Sequence, residues 1–252
     1  MPPIRIAAAQ SVSVAGDIAA NVLVHTKFMA AARQAGVDLL VFPELSLSGY
    51  ELPLLRDCRL HPNDSRLAPI RDMVRQTHMT VLVGAPLRHG DNLAPSIAAI
   101  TFFPDGATSV YCKQYLHPGE EKYAVKGKGG CLCHVLHDES FTPAICADTS
   151  HEPHAAAAAA AGATLYLAGV LVSEAGYPAD SAQLQRHAGQ FNMGVLMANH
   201  GGPSGGYASA GKSAFWAPGG HLVIAAAGTG NCLVIAANHS GSWRGELRAV
   251  PN

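Results

Sequence analysis

Short apolar runs alternate with longer amphipathic stretches along the chain. Ile4 to Gln10 (Ile-Arg-Ile-Ala-Ala-Ala-Gln) reads as a strand. From Asp17 to Gln34, Ile18, Val22, His25, Phe28 or Met29, and Ala32 recur at helical spacing behind Asp17 as N-cap, with Gly36 as C-cap. Val37 to Phe42 is a second buried strand that stops at Pro43-Glu44. Asp64 to His78 predicts a helix and Thr80 to Pro86 a strand. Ser96 to Phe103 and Ser109 to Lys113 form a strand pair around Pro104-Asp105-Gly106. A polar, Gly-rich loop follows from His117 to Gly130, and an apolar run beginning at Phe141 stops at Cys146. Ala155 to Ala161 predicts a helix, because alanine is the best helix former and a methyl-only face packs closely. Thr164 to Ala168 then reads as a strand, Ala179 to Phe191 as a helix and Gly194 to Asn199 as a strand. Ser213 to Trp216 and His221 to Ala226 pair around Pro218-Gly219-Gly220, and Leu233 to Ala237 is the last strand.

Strands and helices alternate, with strand pairs between them, and the two halves share a β-α-β-β rhythm. No Pro/Gly/Ser linker divides the chain. The pattern predicts one α/β domain over residues 1–252, with sheet packed on sheet and helices outside. In such folds chemistry gathers at strand ends and the loops after them.

Composition narrows the function. Of 252 residues 48% are apolar and 14% charged, as in a compact globular protein. A net charge of −1 without a basic block argues against nucleic acid and anionic membrane as partners. The start Met-Pro-Pro-Ile-Arg-Ile lacks a signal-peptide pattern, and no run approaches the roughly 18 apolar residues of a membrane span. Six scattered cysteines (58, 112, 131, 133, 146 and 232) fit a reducing, cytoplasmic setting better than a disulfide framework. Cys131-Leu-Cys133-His134, with His137 nearby, lacks zinc-site spacing, and two cysteines on one face of a strand is the simpler reading. Gly201 to Gly206 lacks the Lys-Ser/Thr of a phosphate loop. Neither metal nor cofactor is expected.

Three strand ends carry reactive side chains. Cys146, in Phe141-Thr-Pro-Ala-Ile-Cys-Ala-Asp148, stands where a strand turns toward a helix. Free amide N–H groups there can lower a thiol pKa and hold an oxyanion. Glu44 follows an apolar strand and a proline, where partial burial would raise its pKa and suit it to act as a base. Lys113 ends Val110-Tyr-Cys-Lys, where an ammonium can face a developing oxyanion. Singly, each has a plain alternative: a buried structural thiol, a solvated or capping acid, an ordinary strand-end lysine.

Taken in order and spacing, these segments resemble the nitrilase superfamily, the carbon–nitrogen hydrolases, over essentially the whole chain. Phe42-Pro-Glu-Leu-Ser-Leu-Ser-Gly-Tyr50, Lys113, the loop ending at Gly127, Ile145-Cys-Ala-Asp148, Met197-Ala-Asn-His-Gly201 and Gly211-Lys-Ser213 carry the likeness. The resemblance implies a four-layer α-β-β-α sandwich. It implies Cys146 as nucleophile forming a thioester, Glu44 as base, and Lys113 with the Ala147 N–H as oxyanion holders. A second acid in the loop after the lysine is Glu120, seven residues before Gly127 as in the family pattern, with neighbouring Glu121 the alternative. The substrate implied is a small amide, and the assembly a homodimer, with the alanine helix at the interface or packed on its own sheet.

Some segments depart from the pattern. Cys-Tyr-Asp-x-x-Phe-Pro-Glu is replaced by Cys146-Ala-Asp-Thr-Ser-His-Glu-Pro153. Gln190 stands where a later helix often carries an acid, and Gly230-Asn231 replaces an acid near the last strand. Hydrolysis of carbamoyl amides or nitriles, thiol acyl transfer, and a non-catalytic binding protein that keeps the triad all remain open. A Cys-His protease fits less well, since no histidine shows a comparable strand-end motif.

Overall fold

Strand β1 (Ile4–Gln10) shows why the strands read as unbroken apolar runs. Ile6 and Ala8 point into the space between two sheets, while Ala7 and Ala9 join the layer that contains helix α1 (Ile18–Gln34). Both faces of the strand are covered, so the usual alternation with polar residues is lost. The computed structural model describes residues 4–90 and 93–251. Residues 1–3, on which the absence of a signal peptide was read, lie outside them.

The described residues form two sheets and four α-helices. One half contains β2 (Leu39–Val41), α2 (Ala68–Thr77), β3 (Thr80–Leu87), β4 (Ser96–Phe102) and β5 (Thr108–Cys112). The other contains β6 (His134–Leu136), β7 (Glu139–Ile145), α3 (Glu152–Ala160), β8 (Leu165–Val170), α4 (Tyr177–Gln190), β9 (Gly194–Asn199), β10 (Ala214–Trp216) and β11 (Leu222–Ala225). Strands β12 (Cys232–His239) and β13 (Ser242–Ala249) return to the first sheet. The seven-stranded order is β13-β12-β1-β2-β3-β4-β5 and the six-stranded order is β11-β10-β9-β8-β7-β6. Each sheet has a parallel centre, β1-β2-β3 in one and β7-β8-β9 in the other. Helices α1 and α2 cover the outside of the first sheet, and α3 and α4 that of the second. Leu39, Val41 and Leu82 meet Phe141, Leu165, Leu167 and Phe215 between the sheets. This is the expected four-layer sandwich.

Helix α1 follows its periodicity: Ile18, Val22, His25, Phe28, Met29 and Ala32 are buried, and the Asp17 carboxylate accepts from Ala20 N at 2.9 Å. Three local expectations need correction. Leu233–Ala237 is not part of the last strand: a further strand, β13, pairs with β12 along its whole length. Six of its eight residues are exposed, so the strand carries little apolar signal, although Ser240-Gly241, both at positive φ, mark the two-residue hairpin turn. Cys131 and Cys133 precede β6 rather than lying on it, and both pack against the apolar layer beneath α3 and α4. The alanine helix starts three residues earlier than expected, at Glu152, with Ala155 and Ala158 buried on its own sheet. No helix among the described residues is long and apolar enough to cross a membrane.

Candidate active site

Glu44, Lys113 and Cys146 lie just past the carboxyl ends of β2, β5 and β7, and the sandwich brings these ends together. Glu44 sits in a turn held by two glycines. A Cβ on Gly84 of β3 would come within 2.3 Å of Leu45 N and Pro43 O, and one on Gly169 of β8 within 2.8 Å of Phe42 O. Only glycine at these two positions lets strands of both sheets close on the turn. Leu45 takes φ +51° and Cys146 φ +42°, so the turns bearing the acid and the thiol both enter the left-handed region.

Lys113 Nζ donates to Glu44 Oε1 at 2.6 Å and to Glu120 Oε1 at 2.7 Å, and all three side chains are buried. Tyr50 OH donates to Glu120 Oε1 at 2.5 Å and the His117 N–H to Glu120 Oε2 at 2.8 Å. The structure therefore brings Glu120 to the lysine; Glu121 is exposed and accepts from Gly119 N instead. Glu44 Oε2 is buried and, the Cys146 thiol apart, has no hydrogen-bond partner among the described residues. The Glu44 carboxyl is raised to about 7: burial pushes it up most, Lys113 pulls it down and Glu120 pushes it up. Burial alone would lower the pKa of Lys113, but Glu44, Cys146 and Glu120 raise it, so it stays an ammonium.

The Cys146 Sγ points at the Leu171 carbonyl, 3.8 Å away, and lies close enough to Glu44 to lower the carboxyl pKa through a hydrogen bond. Its own pKa is raised well above the ordinary thiol value, by burial first and by Glu44 second, with Lys113 acting in the other direction. The expectation of a depressed thiol pKa is thus overturned. The N-terminus of α3 does not follow the sulfur directly: a 3₁₀ turn, Cys146–Ser150, intervenes. Ala147 is the second residue of that turn, a position whose N–H has no partner within it.

Asp148 ties the lysine-bearing and thiol-bearing strands together. Its Oδ1 accepts from Gln114 N (3.0 Å) and Tyr115 N (2.9 Å), and its Oδ2 from Tyr111 OH (2.7 Å) and Ile145 N (3.0 Å). One buried carboxylate ties the segment after Lys113 to the residue before Cys146. Tyr111 O in turn accepts from His154 Nε2 at 2.7 Å, whose Nδ1 accepts from Tyr166 OH at 2.8 Å.

Cys146 and Ala147 line a cavity of about 280 Å³, with Tyr50, His117, Asp180 and Tyr207 among its other walls. Glu44, Lys113 and Glu120 lie beneath it, out of contact with solvent.

The sequence model of the carbon-nitrogen hydrolases matches residues 5–244. The chain belongs to this family. The family is described as one of carbon–nitrogen hydrolases. An amidase of Nesterenkonia sp. AN1, solved with the acetamide moiety of fluoroacetamide added to its active-site cysteine, superposes with a TM-score of 0.85. That match covers 94% of this chain and 90% of the amidase at 23% identity, and it shows a shared fold. A variant of the same amidase in complex with butyramide has a TM-score of 0.85 at 23% identity, over 94% and 91% of the two chains. The glutamine-dependent NAD(+) synthetases of Mycobacterium tuberculosis and Mycobacterium bovis are 32% identical over 122 residues. That stretch is 48% of this chain and 18% of theirs, so the match spans less than a fifth of these relatives.

Two departures of this carbon–nitrogen hydrolase from the family pattern meet in space. Glu152 Oε1 accepts from Gln190 Nε2 at 3.0 Å, so the shifted acid finds a neutral partner where an acid would repel it. The neighbouring His151 ring stacks on Tyr115 at 3.8 Å.

Sequence reasoning assigned no role to Tyr50, Asp180 or His200. The structure places His200 at the end of β9, against the expectation that no histidine stands at such a strand end. Its Nε2 donates to the Glu44 carbonyl at 2.7 Å, so it braces the acid's turn and does not engage the thiol. Burial lowers its pKa to about 4, keeping it neutral. The Asn199-His200 segment already stood among the family-like motifs, and that was the available signal.

Proposed function

We propose that this hydrolase cleaves a small amide through a thioester on Cys146. The observation that carries the reading is the buried Oε2 of Glu44, which has the thiol as its neighbour and no other hydrogen-bond partner among the described residues. Buried polar oxygens are almost always satisfied, and a free lone pair next to an S–H suits a group that takes its proton.

The thiol is protonated at rest, so attack and deprotonation proceed together. Glu44 takes the proton as Sγ bonds to the amide carbon. The tetrahedral oxyanion faces the Lys113 ammonium and the Ala147 N–H. Glu44 then gives its proton to the leaving nitrogen, the C–N bond breaks, and ammonia or an amine departs from a thioester. Glu44 next removes a proton from water, whose oxygen attacks the thioester carbon. Collapse of that intermediate releases a carboxylic acid and restores the thiol. Glu120 shares Lys113 with Glu44 and is a positioning residue.

Six free cysteines support a reducing compartment, for which cytoplasm is the proposed location. Exposed Ala157 and Ala160 on α3 leave a small-residue face that suits the proposed homodimer contact. The test of function is ammonia release from a panel of small amides, carbamoyl compounds and nitriles, with Cys146→Ala as control. Amide turnover lost in that variant supports the reading; turnover retained by it overturns the thioester.

A further inference from the structure

The cavity that holds the thiol also carries a carboxylate, and among the described residues its lining includes neither Lys nor Arg. Asp180, in the first turn of α4, lines the same cavity as Cys146. Among the described residues no Lys or Arg pairs with Asp180 either, and ion pairs elsewhere include Arg5–Glu246, Arg66–Asp64, Arg75–Asp72 and Arg248–Glu246. The floor adds no positive excess, since its one ammonium, Lys113, is shared by two carboxyl groups. Desolvation in the wall pushes the Asp180 carboxyl pKa up, with nearby His117 acting in the other direction.

A substrate with a terminal carboxylate would enter this cavity against Asp180 and with no guanidinium or ammonium to receive it. A substrate with a terminal ammonium would supply the missing partner. We infer that the substrate is a small amide whose non-reacting end is a cation, held by Asp180 while its carbonyl meets Cys146. This rests on the amidase reading above and narrows it. Carbamoyl amino acids and other acid-tailed amides are excluded by the same charges, and uncharged amides bind without the ion pair. A partly buried pair of this kind is worth more than an exposed one, because less solvent screens it.

The experiment has two readouts, each on wild type and Asp180→Asn. The first requires no turnover. Cys146 is modified with methanethiosulfonates bearing an aminoethyl, methyl or sulfonatoethyl group. The sulfur forms a mixed disulfide and releases methanesulfinate. Peptide mass spectrometry resolves Cys146 from the five other cysteines among the six in the chain. Relative to a free thiol, the aminoethyl reagent should outpace the sulfonatoethyl reagent by about ten-fold or more in wild type. That ratio should collapse in Asp180→Asn. A ratio near one in wild type, or one unmoved by the substitution, overturns the inference.

The second readout is kcat/KM for length-matched amides ending in an ammonium, a methyl or a carboxylate. The ammonium amide should lead, and its advantage over the methyl amide should shrink in Asp180→Asn through KM rather than kcat. A lead by the methyl or carboxylate amide overturns the inference. If no amide turns over while the reagent ratio behaves as expected, the amidase reading fails and the cation site stands.

Discussion

Glu44 and Lys113 meet at 2.6 Å with neither side chain open to solvent. The same ammonium also serves Glu120 at 2.7 Å, so two acids divide one cation. Glu44 therefore receives less stabilisation than a private ion pair would give. Burial then dominates, and the carboxyl moves up into the range where a general base works best.

Activity should consequently fall on the acid side of neutrality. Glu44 must be ionised to accept a proton, and its pKa is about 7. Below that value kcat/KM should drop about ten-fold per pH unit, in line with a single titrating base. A pH profile measured from 5 to 9 checks this, and a rate flat down to pH 5 would contradict it.

Replacing Glu44 with Gln keeps the shape and removes the base. Turnover should decrease by about 10²–10⁴-fold, the usual worth of a general base. Alkylation of Cys146 by iodoacetamide at neutral pH should slow in the same variant, since burial holds the thiol protonated and no base is left to take its proton as the sulfur attacks. Equal labelling of both proteins would count against the proton transfer.

Stability should depend on pH through opposed groups. His25 and His200 are buried with pKa values lowered to about 4. The unfolded chain binds their protons first, so their contribution to stability is lost as pH falls from about 6.5 to about 4. Glu44 acts in the opposite sense: its raised pKa means the native state holds a proton longer, and stability from this group is lost as pH rises toward 7. Two histidines against one glutamate predict a net fall in Tm on acidification from 6.5 to 4. In Glu44→Gln that fall should be steeper, because the opposing group is gone. Calorimetry across this window decides it.

Asp148→Ala should harm both fold and site. It strands the amides of Ile145, Gln114 and Tyr115 and the Tyr111 hydroxyl. A loss of about 3 kcal/mol is expected, from several unsatisfied donors at roughly 1–3 kcal/mol each. Turnover should fall even at temperatures where the variant is folded, because Lys113 and Cys146 lose their common anchor. Asp148→Asn, which keeps one acceptor oxygen, should recover part of the stability. Denaturant melts combined with ammonia-release assays separate the two effects.

Much of this was legible in the residues. Periodicity placed α1 and the strands of the parallel centres, because burial on one or both faces leaves a plain pattern. Glu44, Lys113 and Cys146 stood out because each ends an apolar run. What escaped was of two kinds. Strand β13 is an exposed edge, so its pairing rests on backbone hydrogen bonds and a Ser-Gly turn rather than on apolar spacing. Asp180 and Tyr50 matter through where their side chains point, which depends on α4 and the segment after β2 folding over one cavity. Nothing in their local spacing encodes that meeting. The direction of the Cys146 shift was misread for the same reason: a turn with free amides was visible, whereas the depth of burial and the carboxylate beside the sulfur were not.

The pressing of Gly84 and Gly169 against the Glu44 turn makes the acid a feeler gauge for the gap between the sheets. Its carboxylate is placed by backbone touching backbone, with no flexible side chain to absorb a displacement. A change in the thickness of the intersheet layer, such as a smaller residue at Leu167 or a larger one at Ala8, would move the acid relative to the sulfur before it threatened the fold. Reactivity in this enzyme should thus be a more sensitive meter of core packing than its melting temperature.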